Sequence, residues 1–266
     1  LHGCSRRQRQ MCIRDSYVGV VGSKVYFEVS GNPNGEPLLM LHGGLGSLNE
    51  LSNIYQYVAT DYQLISVDFR GHGKSLLGDR QLSYMQYQED IQHVLSYLNI
   101  DKYSIFGFSD GGIVGYRLAA QEPDRVSCLV TLGSQWRLEA NDPSIELLGG
   151  LTPDFWASRF ADDVAFYESS NPEPNFPKLV DAVKAVWLDT TESGYPYDMV
   201  EKICCPTLIM RGDNDFLFSL DEAVALKLKV AGSSFANIPL TAHSAHQESP
   251  KLVGEILKQF MLQHKN

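Results

Sequence analysis

Tyr103-Ser104-Ile105-Phe106-Gly107-Phe108-Ser109-Asp110-Gly111-Gly112-Ile113 is the stretch on which the fold turns. Tyr103 to Phe106 is a short run of the kind that forms a strand buried on both faces. The five residues Gly107 to Gly111 fit the spacing G-x-S-x-G, and a helical pattern from Ile113 to Gln121 follows at once. Flanking glycines let a tight strand-to-helix turn close around a strained serine and lift its hydroxyl out of the sheet. The helix that starts there brings unpaired N–H groups and the positive end of its dipole. A glycine-rich turn could show this spacing by chance. The strand before it and the helix after it make Ser109 a candidate nucleophile.

The same alternation extends outward in both directions. Pro37–Leu41, Tyr62–Val67, Val126–Leu132 and Pro206–Met210 are short apolar runs, and each is predicted to be a buried strand. Tyr17–Val21 and Lys24–Ser30 are β-rich runs separated by Gly22-Ser23, which predicts a hairpin. Tyr87, Ile91, Val94, Leu95 and Leu98 share one face of a helix, and Leu252, Val253, Ile256, Leu257 and Phe260 make a closing amphipathic helix. Strands and helices in alternation call for an α/β fold, a mostly parallel sheet with helices on both faces. From Ser134 to Val200 the alternation stops. That segment has no convincing buried strand, several short helical patterns, and the aromatics Trp136, Phe155, Trp156, Phe160, Phe166, Tyr167 and Trp187. It is expected to be a helical cap inserted between the two core segments, 17–133 and 201–266.

A nucleophilic serine needs a base, and the base needs an acid to fix its tautomer. His243 and His246 both lie in a loop between a predicted strand, Ser234–Ile238, and the last helix. Asp213 and Asp215 both follow the strand that ends at Met210. These positions are at carboxyl ends of strands, where open parallel sheets place their sites. Spacing does not choose within either pair. His42-Gly43-Gly44 follows the strand ending at Leu41, and backbone N–H groups there can face a developing oxyanion. The other donor is expected to be the N–H of Asp110, the residue after the serine.

Composition narrows the partners. The 266 residues carry a formal net charge of −10, which argues against nucleic acid or an anionic membrane. A small molecule is the expected partner. Five cysteines, two of them adjacent at Cys204-Cys205, show no disulfide framework and no zinc spacing, so a reduced, cytoplasmic setting is expected. Residues 1–16 are basic within an acidic chain, have no apolar leader segment and show no periodicity. They are expected to be a non-native, vector-like or disordered tail.

Taken together, the chain resembles the α/β-hydrolase superfamily over nearly all of Tyr17–Phe260, and within it the valacyclovir-hydrolase-like and carboxylesterase-like serine hydrolases. Asp68-Phe69-Arg70-Gly71-His72-Gly73-Lys74-Ser75 is similar to the family's D-x-R-G-x-G-x-S segment, and Pro123-Asp124-Arg125-Val126 to its entry into the sixth strand. The resemblance implies an eight-stranded sheet. It implies Asp215 as the acid, three residues beyond Gly212 in G-x-x-D. It implies His243 as the base, the first residue of H-x-x-x-x-E-x-P, and Gly44 as an oxyanion donor. One departure stands out: Ala242 precedes the histidine where the family usually has glycine, which matters if that residue needs positive φ.

The expected activity is hydrolysis of a small carboxylic ester through an acyl-enzyme, with Ser109, His243 and Asp215 as catalytic residues and no cofactor or metal. A C–C bond hydrolase or lactonase would use the same three residues, and a receptor that scarcely turns over would retain them. Asp110 reads first as an acid complementing the helix dipole, and second as a group that biases the pocket toward amine-bearing esters.

Overall fold

In the computed structural model, which describes residues 14–265, three successive strands open the chain, strands and helices then alternate, and a run of four helices interrupts the alternation once. In order these are β1 (Arg14–Val20), β2 (Ser23–Gly31), β3 (Glu36–Leu41), α1 (Ser52–Val58), β4 (Tyr62–Val67), α2 (Tyr84–Tyr97), β5 (Tyr103–Phe108), α3 (Asp110–Gln121) and β6 (Val126–Leu132). Then come α4 (Ser144–Gly149), α5 (Pro153–Arg159), α6 (Ala161–Ser170), α7 (Phe176–Trp187), β7 (Thr207–Gly212), α8 (Leu220–Lys229), β8 (Ser234–Ile238), α9 (Ala245–Glu248) and α10 (Pro250–Gln263). The strands form one eight-stranded sheet in the order β1-β2-β4-β3-β5-β6-β7-β8. β1 and β2 are antiparallel to their neighbours, and every pairing from β4 through β3 to β8 is parallel.

Alternate residues of the central strands feed two cores, as the period of two requires. Leu39, Leu41, Ile65, Val67, Ile105, Leu129 and Ile209 face one core, with Tyr87, Ile91, Val94 and Leu95 of α2 and Val114 of α3. Leu38, Met40, Leu64, Phe106, Val130, Leu208 and Met210 face the other, with Ile54 of α1 and Val253, Leu257 and Phe260 of α10. Helices therefore cover both faces, and the site can only lie at a strand edge. Leu252, counted on the buried face of α10 from periodicity, is 38% exposed and lies at its border.

β1 begins at Arg14, three residues before the expected start. Arg14, Asp15 and Ser16 pair with Val29, Glu28 and Phe27 of the long β2. An edge strand can be polar, so these residues carried no periodic signal. The rest of the expected tail, residues 1–13, lies outside the described residues. Between β6 and β7 the chain runs through α4–α7 and forms no strand among the described residues. Phe176, Leu179, Val180, Val183 and Trp187 give α7 a buried face, and Asn175 caps it by accepting from the Lys178 N–H. No helix among the described residues is long and apolar enough to cross a membrane.

Candidate active site

Ser109 stands between β5 and α3 with φ 50° and ψ −118°, a conformation that costs a residue with a Cβ on the order of 1–3 kcal/mol. The surroundings hold it there. Its N–H donates to the Leu132 carbonyl at 2.8 Å, and its carbonyl accepts from Gly112 and Ile113 at 2.9 and 3.1 Å. The hydroxyl is thereby set at the carboxyl edge of the sheet, where the loops after β6, β7 and β8 meet.

Two of those loops bring its partners. His243 Nε2 lies 3.1 Å from Ser109 Oγ, and His243 Nδ1 lies 3.0 Å from both carboxylate oxygens of Asp215. Asp215 Oδ1 also accepts the N–H groups of Leu217 and Phe218 at 2.9 and 3.1 Å. Burial alone would raise the Asp215 pKa, but His243 and these N–H groups outweigh it and hold the carboxyl below its ordinary range. An ionised acceptor on Nδ1–H leaves Nε2 bare toward the hydroxyl.

The rivals are elsewhere. Asp213 is exposed and accepts from Asn237 Nδ2 at 2.6 Å. His246 is buried with its ring 4.3 Å from that of Phe108, and burial pushes its pKa down to about 3. Ala242 is not among the residues with positive φ; the strained residue of this loop is Leu240, at φ 64°. The missing glycine therefore costs the loop nothing.

The His42–Gly44 loop closes the other side of Ser109. His42 Nε2 accepts from the Phe69 N–H at 3.0 Å, so its proton is on Nδ1, which donates to the Gly43 carbonyl at 2.6 Å. Burial, followed by His72, lowers the His42 pKa to about 3, so the ring stays neutral. Gly44 is jammed against the start of α3: a Cβ there would lie 2.6 Å from both Asp110 Oδ2 and Trp187 Cζ2. A Cβ at Gly43 would lie 3.3 Å from Ser109 Cβ, which sets this loop beside the serine, and α3, starting at Asp110, cannot use that residue's N–H internally.

Asp110 itself is buried. Its Oδ1 accepts from Tyr84 Oη at 3.0 Å, and both its oxygens accept from Trp187 Nε1 at 3.0 Å. Burial raises its pKa to about 6, against the pull of those two donors. Trp187 leads outward: its ring centroid lies 6.4 Å from that of Trp156, which lies 4.6 Å from Phe160.

The D-x-R-G-x-G-x-S segment supports this edge from behind. The Asp68 carboxylate accepts from Leu48 and Lys74 N–H groups, and Arg70 makes a buried bidentate pair with Asp90 at 2.7 and 2.8 Å. Sequence reasoning missed several contacts. Trp187 and Tyr84 hold Asp110, Glu50 accepts from the Gly43 N–H at 2.9 Å, and Gly133 lies against the His243 and Asp215 side chains. Only Gly133 left a signal, as a glycine directly after a strand.

The family model described as alpha/beta hydrolase fold matches residues 36–164. A curated relative from Bacillus subtilis (strain 168), named "Putative 2-succinyl-6-hydroxy-2,4-cyclohexadiene-1-carboxylate synthase", is 25% identical over 268 residues, covering 89% of this chain and 94% of its own. Another match reaches 36% identity, but over 112 residues that span only 35% of that relative. Among solved structures, a meta-cleavage product hydrolase from Pseudomonas fluorescens IP01 superposes with a TM-score of 0.79 at 17% identity, covering 93% of this chain and 97% of that one. A thermophilic esterase from Thermogutta terrifontis superposes with a TM-score of 0.76 at 19% identity, covering 95% and 100%. At such identities the likeness is one of fold.

Proposed function

The chain belongs to the α/β-hydrolase superfamily, and from that premise we propose that it is a serine hydrolase cleaving a small carboxylic ester, or a related acyl bond, through an acyl-enzyme. The observation that carries this reading is the unbroken line from Asp215 through His243 to Ser109, at 3.0 and 3.1 Å. Ser109 Oγ attacks the substrate carbonyl carbon as its proton passes to His243 Nε2. Asp215 holds the imidazole by Nδ1–H and stabilises the imidazolium. The N–H groups of Gly44 and Asp110 take the oxyanion. His243 returns the proton to the departing alcohol, then activates a water that releases the acid. The aromatic run Trp187–Trp156–Phe160 beside Asp110 suits a small acyl or aryl group.

A second reading, cleavage of a C–C bond beside a carbonyl by the same groups, draws support from the fold-level likeness to the meta-cleavage product hydrolase. The test is to replace Ser109 by Ala and to assay short-chain p-nitrophenyl esters beside lactones and vinylogous diketones. Loss of several orders of magnitude on one of these classes is expected, and the class affected names the bond. Turnover unchanged on all of them removes the proposal.

A further inference from the structure

Glu50 sits in the 3-10 turn Leu48–Leu51 that follows the His42–Gly46 loop, and its side chain reaches back into that loop. Its Oε2 accepts the Gly43 N–H at 2.9 Å. The Gly43 carbonyl accepts from His42 Nδ1 at 2.6 Å and from the Gly46 N–H at 3.2 Å. Both peptide groups flanking Gly43 are therefore tied, the one before it by Glu50 and the one after it by His42 and Gly46. The peptide joining Gly43 to Gly44 is planar and trans, so the direction of the Gly43 carbonyl fixes the opposite direction of the Gly44 N–H. Glycine has no side chain to hold its own φ and ψ, so the aim of this N–H depends on those ties.

We propose that Glu50 is a positioning residue for the reaction: its ionised carboxylate anchors Gly43 and so aims the Gly44 N–H at the oxyanion, and uptake of a proton by Glu50 slackens that aim. The proposal rests on the serine-hydrolase reading above. A carboxylate accepts a hydrogen bond roughly twice as strongly as a neutral group, so the ionised form is the better anchor. The groups that face Glu50 are Asp163 at the start of α6, Asp110 at the start of α3, and His243; the His246 ring on α9 lies against its main chain. Burial above all raises its pKa, with Asp163 and Asp110 adding to the rise and the Gly43 N–H and His243 opposing it, to about 7. Protonation of Glu50 therefore weakens the anchor without removing it, because a neutral carboxyl still accepts the Gly43 N–H.

The test is the rate at which an alkyl fluorophosphonate labels Ser109, followed by intact mass from pH 5 to 9 in the wild type and in E50Q, E50A and S109A. In the reaction a Ser109 Oγ–P bond forms, the P–F bond breaks, fluoride leaves, and the proton goes to His243. The phosphoryl oxygen occupies the oxyanion position, so no substrate need be known. The wild type is expected to label about fivefold faster than E50Q at pH 8 and to converge on it by pH 5, where Glu50 carries its proton. E50Q, whose amide oxygen can still accept the Gly43 N–H but carries no charge, stands in for the protonated carboxyl at every pH. For E50A, a 10- to 100-fold loss at pH 8 is expected, as removal of a charged acceptor implies. A urea midpoint for each variant separates this loss from unfolding, and E50Q tests the proposal even if E50A does not fold. An E50Q profile superimposed on the wild type, or a folded E50A that labels at the wild-type rate, overturns it. Failure of the wild type to label at all, with S109A as the blank, brings down the serine-hydrolase reading and this proposal with it.

Discussion

Glu248 holds Ala242 by its main chain, the two carboxylate oxygens accepting the Ala242 N–H at 3.0 and 3.2 Å. This contact fixes the residue directly before His243 and gives a physical reason for the acid in H-x-x-x-x-E-x-P. Because Glu248 is exposed, the bond is worth less than a buried charged one, about 1.4 kcal/mol or roughly tenfold in rate. E248A is expected to lower kcat on a responsive ester about tenfold with KM little changed, and E248Q to restore most of it. Steady-state kinetics decide, and an E248A kcat equal to wild type would mean that the loop holds without its tie.

Two aspartates two residues apart should behave oppositely. Asp215 meets His243 Nδ1 at 3.0 Å, whereas Asp213 is exposed and meets Asn237. D215N would present an amide to Nδ1 and favour the wrong tautomer, an effect on the order of 10⁴ in kcat where the same arrangement operates. D213N is expected to stay within about threefold of wild type. Equal losses in the two variants would contradict the assignment of the acid.

Much of this edge of the sheet was legible because its signals are local. The turn around Ser109 is written in five consecutive residues, and the strands on either side are short apolar runs with helices between them. The choice between Asp213 and Asp215 was not local. It depends on how residues 212–218 wrap, with the Leu217 and Phe218 N–H groups turning the Asp215 side chain inward. Only the family resemblance pointed to Asp215 and His243 from the sequence. The contact from Glu50 to Gly43 and that from Trp187 to Asp110 left no trace, because the residues involved follow no spacing rule and the second pair is 77 positions apart. The polar start of β1 was hidden for a different reason, since an edge strand needs no apolar alternation.

The Asp110 carboxylate is already occupied by two neutral donors, Trp187 Nε1 and Tyr84 Oη. It ties α2 and the end of α7 to the start of α3, which is a structural task. An amine-bearing substrate would have to compete for oxygens that are already bonded. Amino-acid esters and their deaminated counterparts are therefore expected to differ by less than about fivefold in kcat/KM, whereas a buried ion pair formed only with the amine would give a tenfold or greater preference. Such a preference, lost as the pH falls through about 6 where Asp110 takes up its proton, would assign the carboxylate to the substrate instead.

Stability should be nearly flat in mild acid, because two sets of buried groups oppose each other. Burial raises Glu50 and Asp68 to about 7 and Asp110 to about 6. Between their unfolded values near 4 and these folded values, the native state binds the extra protons, so stability falls as pH rises. Burial lowers His42 and His246 to about 3 and His72 to about 4. Between those values and the unfolded value near 6.5, the unfolded state binds the extra protons, so stability rises with pH. Each proton contributes a slope of about 1.4 kcal/mol per pH unit, and three of one sign face three of the other from about pH 4.5 to 6. Below about 4 the carboxyl set no longer compensates. His42 and His246 still resist protonation there, and Asp215, held low by His243, must be protonated as well. Urea unfolding at half-unit steps is expected to show a plateau that varies by no more than about 2 kcal/mol from pH 4.5 to 6.5, then a steep fall below pH 4. A steady climb across the plateau would show that the buried carboxyls stay ionised in the native state, which would also remove the titration on which the Glu50 proposal relies.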